Sequence, residues 1–192
     1  DILSKKKKNF FIGAQNVSPY EDGAYTGEIS SNSLRDLKID FCIVGHSERR
    51  KIFFEKNNDI NLKSFHLIKD EVIPIICVGE TMEEKVKGKT NEVLGNQLTE
   101  CIPDSSNATN TIIAYEPVWA IGTGLTPSLE EIEMTHKFIR ENNKKFNNFK
   151  IIYGGSVKSS NAKGIVALPN VDGVLIGGAS IKSEEFKKII QD

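Results

Sequence analysis

The 192-residue sequence predicts a parallel α/β fold, and three observations carry that prediction. Its apolar runs are short, β-branched and nearly continuous, as strands buried on both faces of a parallel sheet are. Charged, helix-favouring segments alternate with the runs, which is the order of βαβ units with right-handed crossovers. The runs start near residues 10, 41, 74, 111, 150 and 173, and most intervals match the roughly 30 to 40 residues of one such unit.

Taken in order, the expected strands are Phe10–Gln15, Phe41–His46, Pro74–Glu80, Thr111–Pro117, Lys150–Ser156 and Gly173–Ser180. The expected helices include Thr81–Ile102, Ser128–Phe146 and Ser183–Gln191. Ser128 followed by Glu131 reads as a capping box that starts the second of these. No linker or composition break divides the chain, so residues 1–192 are expected to form one domain.

Composition narrows the function. A formal charge of −1 gives no global pull toward nucleic acid or a membrane surface. No run of eighteen apolar residues is present, so no membrane span is expected. The start, DILSKKKKNFF, lacks the apolar core and cleavage site of a signal peptide. Cys42, Cys77 and Cys101 are odd in number and unclustered, which suits a reducing cytosol better than a disulfide scaffold. His46, His66 and His136 lack close ligand spacing, so no metal and no cofactor is expected. The Lys5–Lys8 run is read as solvated surface, with an acidic partner as the alternative.

The ends of the runs carry the unusual residues. His46, Glu80 and Glu116 each close a strand, and Gly-Gly pairs close the last two. Sites of parallel α/β folds form at the carboxyl ends of strands, so the pattern gathers His46, Glu116 and two glycine turns on one face. Each residue alone has a plainer reading: a strand-end His packs or caps, and a strand-end Glu caps a helix or pairs with a cation. The turns YGGS (Tyr153–Ser156) and IGGAS (Ile176–Ser180) let backbone N–H groups approach a ligand, and a helix start beside them favours an anion. A phosphate site at Ser156, Gly177 and Gly178 follows, against the alternative of two simple turns.

Four motifs then carry a resemblance. IVGHSERR (Ile43–Arg50), AYEPVWAIGTG (Ala114–Gly124), YGGSV (Tyr153–Val157) and DGVLIGGAS (Asp172–Ser180) resemble the triosephosphate isomerase family in order and spacing. GAQNV (Gly13–Val17) and GAYTGEIS (Gly23–Ser30) resemble its third strand and the loop that follows. The resemblance covers nearly the whole chain from Phe10 and implies a (β/α)8 TIM barrel, here strands 3 to 8 only, in one N-terminally incomplete domain. It implies Glu116 as the base that moves a proton between two carbons of a triose phosphate. It implies His46 as the neutral imidazole that polarises the carbonyl, the standard case of pKa tuning in this family. Glu48 resembles the second carboxylate of the site, with pairing to Arg49 or Arg50 as its alternative. Pro117–Gly124 resembles the mobile lid, in which Gly122 donates a backbone N–H to the substrate phosphate. Leu125, Thr126 and Pro127 replace the family's usual Lys-x-Ala hinge, and Pro127 implies a stiffer one.

The family's Asn-x-Lys motif has no match before Phe10. A full barrel takes roughly 250 residues, so 192 residues fit six units, and the chain alone is expected to be weakly active or inactive. The resemblance also implies a homodimer, with Thr26 near the partner's site. Two alternatives stay open: another sugar-phosphate isomerase barrel, and a non-catalytic remnant that binds phosphate or protein.

Overall fold

A computed structural model describes residues 9–123 and 125–191; Lys5–Lys8 and Gly124, named above, lie outside the described residues. The described residues divide into two compact units, the first within Asp1–Cys77 and Thr99–Ile112, the second within Val78–Leu98 and Ile113–Asp192. In each, the strands follow one another in chain order.

The first unit holds β1 (Gly13–Ala14), α1 (Ser31–Asp36), β2 (Phe41–Val44), α2 (Ser47–Ile52), α3 (Asn57–Lys69) and most of β3 (Ile73–Val78). β1 pairs parallel with β2, Gly13 beside Phe41, and β2 pairs parallel with β3 from Phe41 beside Ile73 to Val44 beside Ile76. Ile60 and Leu67 of α3 are buried, as are Cys42 and Val44 of β2. The chain leaves β2 through Gly45, whose φ of +70° and Cβ position 2.8 Å from Ile60 Cδ1 exclude any larger residue. Lys63 is buried on α3, and its ammonium donates to Asn16 Oδ1 at 2.8 Å and to Glu55.

The second unit holds α4 (Met82–Val86), most of α5 (Thr90–Cys101), β4 (Ile112–Tyr115), α6 (Leu129–Asn142), β5 (Lys150–Tyr153), α7 (Ala162–Val166), β6 (Gly173–Val174) and α8 (Ser183–Gln191). Gly154 N–H donates to Tyr115 O at 2.7 Å, and β5 pairs parallel with β6, Ile152 beside Gly173. Ile113, Ile132, Ile139, Ile151 and Ile165 form the apolar interior. Such short strands suffice because side chains add to the ladder. Arg140 of α6 reaches Asn170, the Asn147 and Phe149 carbonyls and Asp172, tying the helix to the entry of β6.

Several boundaries differ from expectation. Only Gly13 and Ala14 of the first run pair, and Phe10 and Phe11 are exposed. The last run pairs only at Gly173–Val174, and its glycines lead into a 3-10 turn at Gly178–Ile181. The helix expected over Thr81–Ile102 is broken, because Gly88 adopts a φ of +68° between α4 and α5. The segment over Ser128–Phe146 ends as an α-helix at Asn142 and continues as a 3-10 turn at Lys144–Asn148. The capping box is as expected: Glu131 N–H donates to Ser128 Oγ at 3.1 Å, and Ser128 N–H to Glu131 Oε2 at 2.8 Å.

Candidate active site

In the first unit His46 is the N-cap of α2, and its Nδ1 accepts the Glu48 N–H at 3.3 Å. An accepting Nδ1 carries no proton, so a neutral ring bears its hydrogen on Nε2. Glu48 Oε2 lies 3.8 Å from the same Nδ1, with its side chain largely exposed. Neither arginine takes Glu48. Arg49 pairs with Glu55, while Arg50 donates to Gly45 O at 2.9 Å, Asn57 Oδ1 at 2.6 Å and Cys77 O at 3.2 Å. Among the described residues the pairing weighed for Glu48 is therefore absent, because Arg50 braces the turn after β2 and Arg49 is taken by Glu55 beyond α2. Thr26 lies in an exposed loop, where Tyr20 and Tyr25 stack at 4.5 Å and Ser18 N–H bonds Ile29 O at 2.8 Å.

In the second unit Glu116 follows β4 directly and is 2 % exposed. Its N–H donates to Val78 O at 2.8 Å, so the last ladder bond fixes the backbone that carries the carboxylate. Two glycines make room for it. A Cβ on Gly79 would lie 1.7 Å from Glu116 O, and one on Gly154 would lie 2.9 Å from Glu116 Cγ.

Past Pro117 the chain forms a 3-10 turn, Val118–Ala120, and then an exposed stretch in which Gly122 has a φ of +68°. The turn is anchored, and beyond it Thr123 Oγ1 donates to Trp119 O at 2.9 Å. Val118 N–H donates to Glu80 O at 3.1 Å, Trp119 Nε1 to Glu80 Oε1 at 2.8 Å, and Ser156 Oγ to Ala120 O at 2.6 Å. The Ser156 hydroxyl thus joins the YGGS loop to the start of the segment after Glu116. Gly177 and Gly178 are exposed, with nothing within 4 Å of a Cβ built on either. Backbone groups there are open to a ligand.

Glu80 is the residue whose importance the sequence understated. It is fully buried, accepts Tyr115 Oη at 3.2 Å as well as the indole, and burial pushes its carboxyl above the ordinary range despite those donors. Its signal was its place at a strand end, the same signal that marked Glu116. Lys85, whose ammonium lies 4.3 Å from the centre of the Trp119 ring, had no sequence signal.

Cys42, Cys77 and Cys101 are buried and form no disulfide among the described residues, and burial pushes the Cys42 thiol up to about 12. Among the described residues no helix is long and apolar enough to cross a membrane, and no three His, Cys, Asp or Glu side chains are grouped to hold a metal.

The sequence matches a family model described as triosephosphate isomerase over residues 1–192. It is 46 % identical over 197 residues to a triosephosphate isomerase of Francisella tularensis subsp. mediasiatica, covering 99 % of this chain and 78 % of that protein. It is 44 % identical over 192 residues to one of Rhodopseudomonas palustris, covering 97 % and 76 %. The crystal structure of triosephosphate isomerase from Bartonella henselae superposes with a TM-score of 0.88 at 36 % identity, covering 95 % of this chain and 76 % of that one. That likeness gives the fold as a TIM barrel.

Proposed function

The chain belongs to the triosephosphate isomerase family, and from that premise we propose how its residues divide the work of an aldose–ketose isomerase. Glu116 removes the proton from the carbon next to the substrate carbonyl. The released electron pair moves onto the carbonyl oxygen to give an enediolate, the hydroxyl proton passes to that oxygen, and the same carboxyl returns its proton to the carbon that had carried the carbonyl. His46 donates a hydrogen bond from Nε2 to the oxygen that becomes negative, with the Glu48 carboxylate 3.8 Å from the Nδ1 of that ring. The observation that carries this reading is the buried strand-end carboxylate of Glu116, and the accepting Nδ1 of His46 supports the role of the ring separately.

Gly122, Ser156, Gly177 and Gly178 receive the substrate phosphate, supported by the open glycine positions and the exposed left-handed turn at Gly122. Residues 117–124 act as a lid over it. Closure excludes water, and the enediolate then returns its proton rather than eliminating phosphate. The same reading has the six strands as the third to eighth of a single barrel domain, a homodimer with Thr26 at the partner's site, and a cytoplasmic setting. Motif order and the match over 78 % of a relative's length support the strand assignment.

A coupled isomerase assay tests the base. Glu116→Gln is expected to lower kcat by about 10²–10⁴-fold with little change in KM. Turnover equal to wild type would remove Glu116 from the role.

A further inference from the structure

Trp119 is the single tryptophan of the chain, and it is gripped from two directions. Its edge donates to the buried Glu80 at 2.8 Å, while the Lys85 ammonium sits over its face, 4.3 Å from the ring centre. The same ammonium bonds Glu131 Oε1 at 2.9 Å. Glu131 Oε2 in turn accepts the N–H of Ser128, the N-cap of α6. One side chain on α4 thereby joins Trp119, within the proposed lid, to the start of α6, the next helix along the chain.

This pairing is unlike the ordinary surface pairs of the molecule. The Lys85 side chain is 32 % exposed, against 58 % for Lys87 in its pair with Glu83. Lys85 also holds the Glu131 carboxyl below its usual range. Lys85 and Glu131 also line an open pocket of about 210 Å³ with Glu80, Tyr115, Thr135 and Phe138. Directed polar contacts fix where Lys85 and Glu80 meet the indole.

We infer that Lys85 is a positioning residue: its ammonium holds Trp119, ties it to the start of α6, and so sets how readily the proposed lid swings. The inference rests on the reading of that segment as a lid. Swinging the indole away breaks the cation–π contact, and loss of one such contact shifts the balance between seated and released forms by roughly two- to five-fold. Glu131 keeps the ammonium over the ring, and without it the stem of Lys85 has a wide choice of solvated rotamers.

The lone tryptophan makes this measurable without turnover, as acrylamide quenching of Trp119 emission in the 192-residue protein. Lys85→Met keeps the stem and removes the charge. It is expected to raise the quenching constant about two- to five-fold, with far-UV circular dichroism and Tm unchanged. Lys85→Arg is expected to restore the wild-type value, and Glu131→Gln, which preserves the capping box, to give a smaller rise. Wild-type quenching in Lys85→Met, or failure of arginine to restore it, overturns the proposal. Titrating wild type with inorganic phosphate separates the two levels. If emission ignores phosphate while Lys85→Met still frees Trp119, the lid reading fails and the hold by Lys85 stands. If emission responds to phosphate and Lys85→Met does nothing, the lid stands and Lys85 has no part in it.

Discussion

Trp119 donates its indole N–H to Glu80 across 2.8 Å, so the segment after the proposed base hangs from a carboxylate without solvent exposure. Removing that carboxylate strands two donors at once, the half-buried indole N–H and the buried Tyr115 hydroxyl. Glu80→Ala is expected to lower stability by about 1–3 kcal/mol in urea titrations and to red-shift Trp119 emission. The pH dependence has a definite sign. A carboxyl raised above its ordinary 4.5 binds its proton more tightly folded than unfolded. Its contribution is present below 4.5 and is lost as pH rises through the folded value. Glu80→Gln should abolish that component, and an unchanged slope between wild type and Glu80→Gln would refute it.

His136 gives the opposite slope. Its ring is fully buried on α6, 5.8 Å from the Tyr115 ring and 6.3 Å from the Tyr153 ring. Neither nitrogen makes a hydrogen bond of normal geometry among the described residues. Burial pushes its pKa down from 6.5 to about 4, while the Asn170 backbone, Glu133 and Asp172 offset part of that and Arg140 adds to it. The depressed value means the unfolded chain binds the proton first. The associated stability is complete above 6.5 and is lost as pH falls through about 4, a total of about 3 kcal/mol. His136→Phe is expected to flatten the fall in urea midpoint between pH 7 and pH 4.5. A variant as acid-sensitive as wild type would show that another group carries it.

How much of this was legible in the sequence depends on the distance over which each feature is decided. The capping box at Ser128 and Glu131, the span of α8 and the turn from His46 into α2 are local, and they lie where the residues put them. The place of Glu116 directly after β4 was legible because the apolar run before it is local. The break at Gly88 was not, since the charged residues around it favour helix on either side. The grip on Trp119 was hidden for a different reason. Glu80 is 39 residues from Trp119 and Lys85 is 46 from Glu131, so only the folded chain brings them together.

The two glycines beside Glu116 make a paired test that separates folding from positioning. A Cβ on Gly79 would overlap backbone, 1.7 Å from Glu116 O, and Gly79 is itself pinned by Gln97 through bonds of 2.7 and 3.1 Å. No rotamer change relieves a backbone clash, so Gly79→Ala is expected to lose soluble, cooperatively folding protein. A Cβ on Gly154 meets mainly the Glu116 side chain, 2.9 Å from Cγ, and Gly154 does not have the positive φ that would forbid alanine. Gly154→Ala should therefore fold, at a cost of about 1–3 kcal/mol, because the carboxylate arm can give way. The displacement falls on the group proposed to move the proton, where a shift of about 1 Å can cost roughly 10²-fold in rate. In an enzyme that turns over measurably, Gly154→Ala should thus lose far more kcat than its small drop in Tm implies. Wild-type kcat with the same drop in Tm would mean that Glu116 does not need the position in which the structure holds it.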